Sequence, residues 1–335
     1  MRHQVNLWLN RLLGRGQEAS GPKAPGPELP GSDAADDLDR RIPPAIDLEA
    51  RKLMATRCRD CDDLPAVAQA GAVVEAPDGQ RVQVMHNGLL MLADGYCGSW
   101  MTDLIRLCRG HHEPQEERLY HEVVERLPMD ATMIELGAWW SYYSLWFLKD
   151  HPGRRGIAVE PDAANLEVGR ANARLNGLAP VFVAGSVGDG TLPFVPAPAS
   201  PPVPRLTVEA IMAAQGLTHL DLLHCDAQGV ELQVLRQCAG LIRAGRLRTL
   251  ILSTHHHSIS GDPLTHQRCL ELVRSLGGRV LAEHDVYESF SGDGLIAARF
   301  GADAAAWPTV PISFNRASTS LFRDPSYDLQ AALRR

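Results

Sequence analysis

The stretch Met133–Ser144, MIELGAWWSYYS, constrains this chain more than any other. Strand-compatible residues run into an acid, then a glycine, then a helical run beginning near Trp140. That order predicts the first strand–turn–helix of an α/β sheet, with Gly137 where the backbone turns sharply. A dinucleotide fingerprint would need Gly-x-Gly-x-x-Gly here, so that the backbone can approach a pyrophosphate. Ala138, Trp139 and Trp140 stand there instead, and two indoles leave little room for phosphates. A nucleoside without a pyrophosphate fits this turn better. A second signal is Gly156–Asp162, GIAVEPD, an apolar run ending in an acid. At the carboxyl end of a second strand, Glu160 is placed to accept hydrogen bonds from both ribose hydroxyls. A solvated acid at a strand end is the plain alternative. Its pairing with Glu135-x-Gly137 at this distance favours the ribose.

MIELGAWWSYYSLWF, AVEPDAANLEVGRANARLN, AGSVGDG and DLLHCDAQGVELQVLR resemble, in order and spacing, the S-adenosylmethionine-dependent methyltransferases of the FkbM type. The resemblance spans roughly residues 110–300, and Asp226-Ala-Gln-Gly-Val-Glu231 is its most specific block. It implies an α/β, Rossmann-like methyltransferase fold: a mostly parallel seven-stranded sheet with helices on both faces, here behind an N-terminal cap. It also implies S-adenosyl-L-methionine as cofactor. In that resemblance Glu113, in a Glu-Pro pair, lies over the cofactor, with His112 and Gln115 as further candidates. Glu135, Gly137, Ala138 and Ser141 form the first motif, Glu160 and Pro161 the ribose corner. Ser186 and Val187 flank the adenine, and Asp226 closes the site from the fourth strand. Two positions depart from the family: Ser141 where a Gly is usual, and His224 where a Lys is usual.

At 335 residues there is room for one sizeable α/β domain plus additions, and 45% hydrophobic content supports a packed core. The division expected is an amphipathic helix over 1–15, a Pro/Gly-rich linker over 16–40, a cap over 41–112, the methyltransferase domain over 113–300 and a tail over 301–335. Val5, Trp8, Leu9, Leu12 and Leu13 share one stripe. Residues 5–13 are therefore expected to dock on protein, a homo-oligomer included, or peripherally on a membrane. Net charge of -7 without a basic run argues against nucleic acid. No apolar stretch is long enough to span a bilayer, and the start lacks a cleavage site. Seven scattered cysteines point to a reducing, cytoplasmic setting. Cys58-x-x-Cys61 with Cys97, Cys108 and His111 offers zinc donors. The later spacings form no second tight pair and Asp60, Asp62 and Asp63 crowd the first, so no metal site is expected.

Methyl transfer from a sulfonium is an in-line displacement, so the protein supplies positioning, a dry pocket and, for a hydroxyl acceptor, a base. Asp226, His255 and His256 are the catalytic candidates, because strand ends four and five deliver them to one crevice. His255, first to emerge after Leu247–Ser253, is the expected base, with His257 on its side of the strand and His256 on the other. The resemblance points to a small-molecule or glycan acceptor: a hydroxyl of a sugar, glycan or polyketide-like metabolite. Two alternatives stand beside it. One is metal-assisted O-methylation, with Asp226 and His255, His256 or Asp285 holding Mg²⁺. The other is a non-catalytic nucleotide-binding scaffold of the same fold.

Overall fold

The computed structural model describes residues 48–77, 79–188, 194 and 201–315. The expected N-terminal helix, the linker, most of the Pro-rich excursion after Val187 and the tail beyond 315 lie outside the described residues. The cap holds α1 (Leu48–Ala55), the antiparallel strands β1 (Val73–Glu75), β2 (Arg81–Val84) and β3 (Leu90–Leu92), and α2 (Ser99–Leu107). The predicted hairpin falls at Asn87-Gly88. Gly88 takes φ +86°, and the Asn87 side chain accepts the Leu89 N–H at 3.1 Å.

Helix α3 (Pro114–Val124) opens with Pro114 in its first turn, where no donor is lost. Then follow β4 (Thr132–Leu136), α4 (Tyr142–Leu148), β5 (Arg155–Glu160), α5 (Ala163–Leu175), β6 (Val181–Ala184) and the short parallel pair β7 (Ser186–Val187) and β8 (Arg205–Leu206). The second half runs α6 (Val208–Ala214), β9 (Leu220–Cys225), α7 (Glu231–Arg243), β10 (Leu247–Thr254), α8 (His257–Ser260), α9 (Thr265–Ser275), β11 (Arg279–His284) and β12 (Gly294–Arg299). Helices start where short polar side chains cap them: Asp162 accepts the N–H groups of Ala164 and Asn165, and Thr207 that of Ala210.

Seven strands form one sheet in the order β11-β12-β10-β9-β4-β5-β6, with β12 antiparallel to both neighbours and the other pairs parallel. This is the Rossmann-like methyltransferase fold, and the closing antiparallel strand is the pair expected from the sequence. Alternate strand residues enter different cores. Met133, Leu222 and Ile251 pack with α3, α4 and the cap, whereas Ile134, Leu223 and Leu250 pack with α6, α7 and α9. The cap is part of the first core, since Met85 and Leu89 sit in the same cluster as Leu119 and Tyr142. Its β3 is also paired to α5: Asn172 accepts the Leu92 N–H at 2.8 Å and Asn176 that of Leu90 at 2.9 Å. No described helix is long and apolar enough to cross a membrane.

Candidate active site

Strand order reverses between β4 and β9, so the loops leaving these two strands splay apart into a crevice, where open α/β sheets bind ligands. Gly137 lies at the split with φ +78°, and the Asp226 N–H donates to the Leu136 carbonyl at 2.9 Å. Two non-glycine residues of this turn take a positive φ as well: Trp139 has φ +38° and Ser141 φ +63°. Ser141 is fully buried.

Glu160 reaches back to this loop. Its carboxylate accepts the Trp139 N–H at 3.1 Å, the Asp162 N–H at 2.9 Å and the Asn165 amide at 3.2 Å. Burial outweighs these donors and lifts its pKa to about 7. Glu135 accepts the Ser144 N–H at 2.9 Å, anchoring the start of α4, and burial raises it to about 6. Ala138 donates its N–H to Val159 at 3.0 Å, and half-buried Pro161 leaves β5. Ser186 and Val187 are buried beside Glu160, whose carbonyl accepts the Gly185 N–H at 3.2 Å.

The cap supplies a wall that the sequence reading missed. Tyr96 stacks on Trp140 with centroids 4.6 Å apart and meets Trp139 edge-on at 5.1 Å. His112 lies edge-on to Trp140 at 5.2 Å, and Gln115 donates to the Ser313 carbonyl at 2.8 Å. Below them Glu116 ties the floor, 2.6 Å from His224 Nε2 and accepting the Ser253 hydroxyl at 2.9 Å.

The charges of Glu113, Asp226 and Asp293 act on one another in this region. Burial, helped by Glu116, Asp293 and Asp226, lifts Glu113 to about 8. Burial, helped by Asp226, lifts Asp293 to about 6. Burial also opposes the charge of Asp226, but the hydrogen bond and charge of His255 outweigh it and hold that carboxyl below the usual range. His255 Nδ1 is 2.8 Å from Glu231, and Nε2 is 3.1 Å from Asp226 and 3.6 Å from Asp293. Burial works against its charge, yet Glu231 foremost among three acids holds its pKa well above the ordinary 6.5.

These contacts bear on the base role expected of His255. Carboxylates near both ring nitrogens favour the imidazolium, and the Gln228 amide nitrogen also lies 2.8 Å from Nε2, so both nitrogens are engaged within the protein, an arrangement that suits orienting its neighbours. The alternating directions expected of the three histidines fail. The strand stops at Thr254, and the His256 ring lies tilted against that of His257, the first residue of α8, with centroids 3.9 Å apart. Asp285 is committed elsewhere, capping the turn at Tyr287 and Glu288. The acid beside Asp226 is Asp293, which the sequence reading missed. A signal existed. The closing strand is antiparallel, so its start, in Ser291-Gly292-Asp293-Gly294, must lie at the edge where the parallel strands end.

No protein-family model and no curated protein matches the chain. Among solved structures, the ribosomal protein L11 methylase of Lactobacillus delbrueckii subsp. bulgaricus is similar at 13% identity and TM-score 0.37, covering 56% of this chain and 80% of that one. The METTL16 methyltransferase domain is similar at 17% identity and TM-score 0.41, covering 66% and 87%. M. capricolum TrmK, in complex with S-adenosyl-homocysteine, is similar at 11% identity and TM-score 0.33, covering 55% and 68%. At these values the superpositions add nothing to the fold assignment, which rests on the strand order.

Proposed function

We propose that this chain is an S-adenosylmethionine-dependent methyltransferase of FkbM type. In this reading it methylates a hydroxyl of a sugar, glycan or polyketide-like metabolite. The observation that carries the reading is the crevice at the switch point, walled by Tyr96, Trp139 and Trp140 and lined by Glu113, Asp226 and Asp293. Burial disfavours the charge on Glu113 and Asp293, and the neighbouring acids add to that, so both values are raised. A ligand bearing an ammonium and a sulfonium offsets that cost, and aromatic faces attract the same charges. When bound, the cofactor supplies the electrophilic methyl. Glu160 meets the ribose, Ser186 and Val187 border the adenine, and the first-motif loop of Gly137, Ala138 and Ser141 lies against the methionine end. Asp293, with a value of about 6, is matched to accept the acceptor's proton near neutrality, and Asp226 with His255 holds it in place.

Glu160→Ala is expected to weaken cofactor binding by about tenfold or more, the scale of a lost charge-assisted hydrogen bond. The pH dependence has a definite sign. Ribose hydroxyls donate to the ionised carboxylate, whereas the buried carboxyl stays protonated up to about 7. Affinity should therefore climb as pH rises towards about 7, with proton release, and then level off. Calorimetry in buffers of different ionisation heat reads both effects. A Glu160→Gln variant with the wild-type profile would remove Glu160 from the ribose.

Metal assistance has weaker support. A Mg²⁺ ion would need the space between Asp226 and Asp293, and the His255 imidazolium already stands there. Turnover on a soluble acceptor should change by less than about twofold when Mg²⁺ is added to metal-depleted buffer, against the large effects of a Lewis-acid metal. A strict requirement for Mg²⁺ would reverse the assignment and make Asp226 a ligand.

A further inference from the structure

A second constellation lies behind the aromatic wall, between the cap and the start of α3. His86, in the β2–β3 turn, has Nδ1 3.3 Å from the Pro65 carbonyl. That carbonyl can only accept, so Nδ1 carries the proton and Nε2 is left as a bare lone pair. His86 Nε2 is buried, makes no hydrogen bond, and points at a second acceptor, Glu117 Oε2, 3.8 Å away. His111 stacks on the His86 ring with centroids 4.1 Å apart, and its Nδ1 is 2.6 Å from the same oxygen. The other oxygen of Glu117 is taken by His112, through its N–H at 2.8 Å and its Nδ1 at 2.7 Å. Glu117 is 0% exposed. One ligating atom from each of His86, His111 and Glu117 lies within 4.8 Å of the others, and this is the one such group found among the described residues.

We propose that His86, His111 and Glu117 hold a divalent transition-metal ion of the zinc class. Two imidazoles and one carboxylate are a borderline donor set that suits such an ion. The surroundings have the form that metal ligands require. A backbone carbonyl orients His86 from behind, and His112 fixes the free oxygen of Glu117. A plain hydrogen-bonded cluster accounts for His111 and His112 but leaves the buried His86 nitrogen facing a carboxylate with nothing between them, which a cation relieves. A route in exists, because His111 also borders a surface cleft lined by Cys58, Cys61 and Cys108. Of the donors that the sequence offered with the Cys-x-x-Cys motif, this site uses His111 and none of the cysteines. The ion would clamp the β2–β3 turn onto the start of α3, the segment that carries Glu113 and Glu116 into the crevice. Its role is positioning, and it stands whether or not the methyl-transfer reading does.

The test uses the full chain without a histidine tag, produced with zinc in the medium. Elemental analysis should find about one equivalent of zinc per chain, as expected for a buried structural site. His86→Gln should reduce that by about tenfold or more while circular dichroism stays native, since each ligand carries much of the affinity. Cys58→Ser with Cys61→Ser should keep the full equivalent. Cobalt loaded in place of zinc should show visible ligand-field bands without a sulfur-to-cobalt charge-transfer band. Wild-type protein that holds no zinc and takes up neither zinc nor cobalt on dialysis overturns the proposal. So does full occupancy in His86→Gln, or loss of metal in the cysteine double variant.

Discussion

Gly137→Ala should leave a chain that binds no S-adenosylmethionine and has lost about 4 kcal/mol or more of stability, at the exceptional end for one methyl group. Two costs combine. The residue sits at φ +78°, where a side chain is strained. A Cβ there would also lie 2.8 Å from the Asp226 carbonyl carbon and overlap the carbonyl oxygen. Neither neighbour can yield, because Leu136 pairs with Cys225 across β4 and β9 and also accepts the Asp226 N–H. The clash therefore forces apart the two loops that frame the crevice. Gly177→Ala is the control: at φ +62° it carries the backbone strain but has nothing within 4 Å. It should cost only about 1 kcal/mol. Denaturant unfolding of both variants, with calorimetry for the cofactor, decides the matter. Equal losses in the two would mean that the Asp226 contact is unimportant.

His255→Ala should lower turnover by about 10²-fold or more while cofactor affinity stays within a few fold, the pattern of an interaction used in the transition state. The pH profile separates orientation from base catalysis. In the wild type the imidazolium faces Glu231, Asp226 and Asp293 and favours their ionised forms. Without it the carboxyls hold their protons more tightly, so the acid limb of the rate profile should move to higher pH. If His255 were the base, that limb would vanish instead. Stability follows the same group. Its pKa is raised on folding, so its contribution is fully present below the ordinary 6.5 and is lost as pH rises through the folded value. The alkaline fall in Tm should be present in the wild type and absent from His255→Ala. A variant with wild-type turnover would end the role for His255 altogether.

The sequence by itself determined the elements and their order around this site. Gly137 at the first turn, Glu160 at the end of β5, Pro114 opening α3 and the hairpin at Asn87-Gly88 all follow from local rules. Strand alternation, turn chemistry and capping each depend on residues a few positions apart, and a single sequence displays them. The chemical state of the site was decided only by the tertiary structure. Three histidines after a buried strand gave no sign that Glu231 and Asp226 would close on both nitrogens of His255. Asp293 is an ordinary turn acid until the antiparallel strand carries it to Asp226, and Tyr96 an ordinary cap residue until it stacks on Trp140. Desolvation and charge pairing depend on distance through space, and the groups that set them here come from loops far apart in the chain.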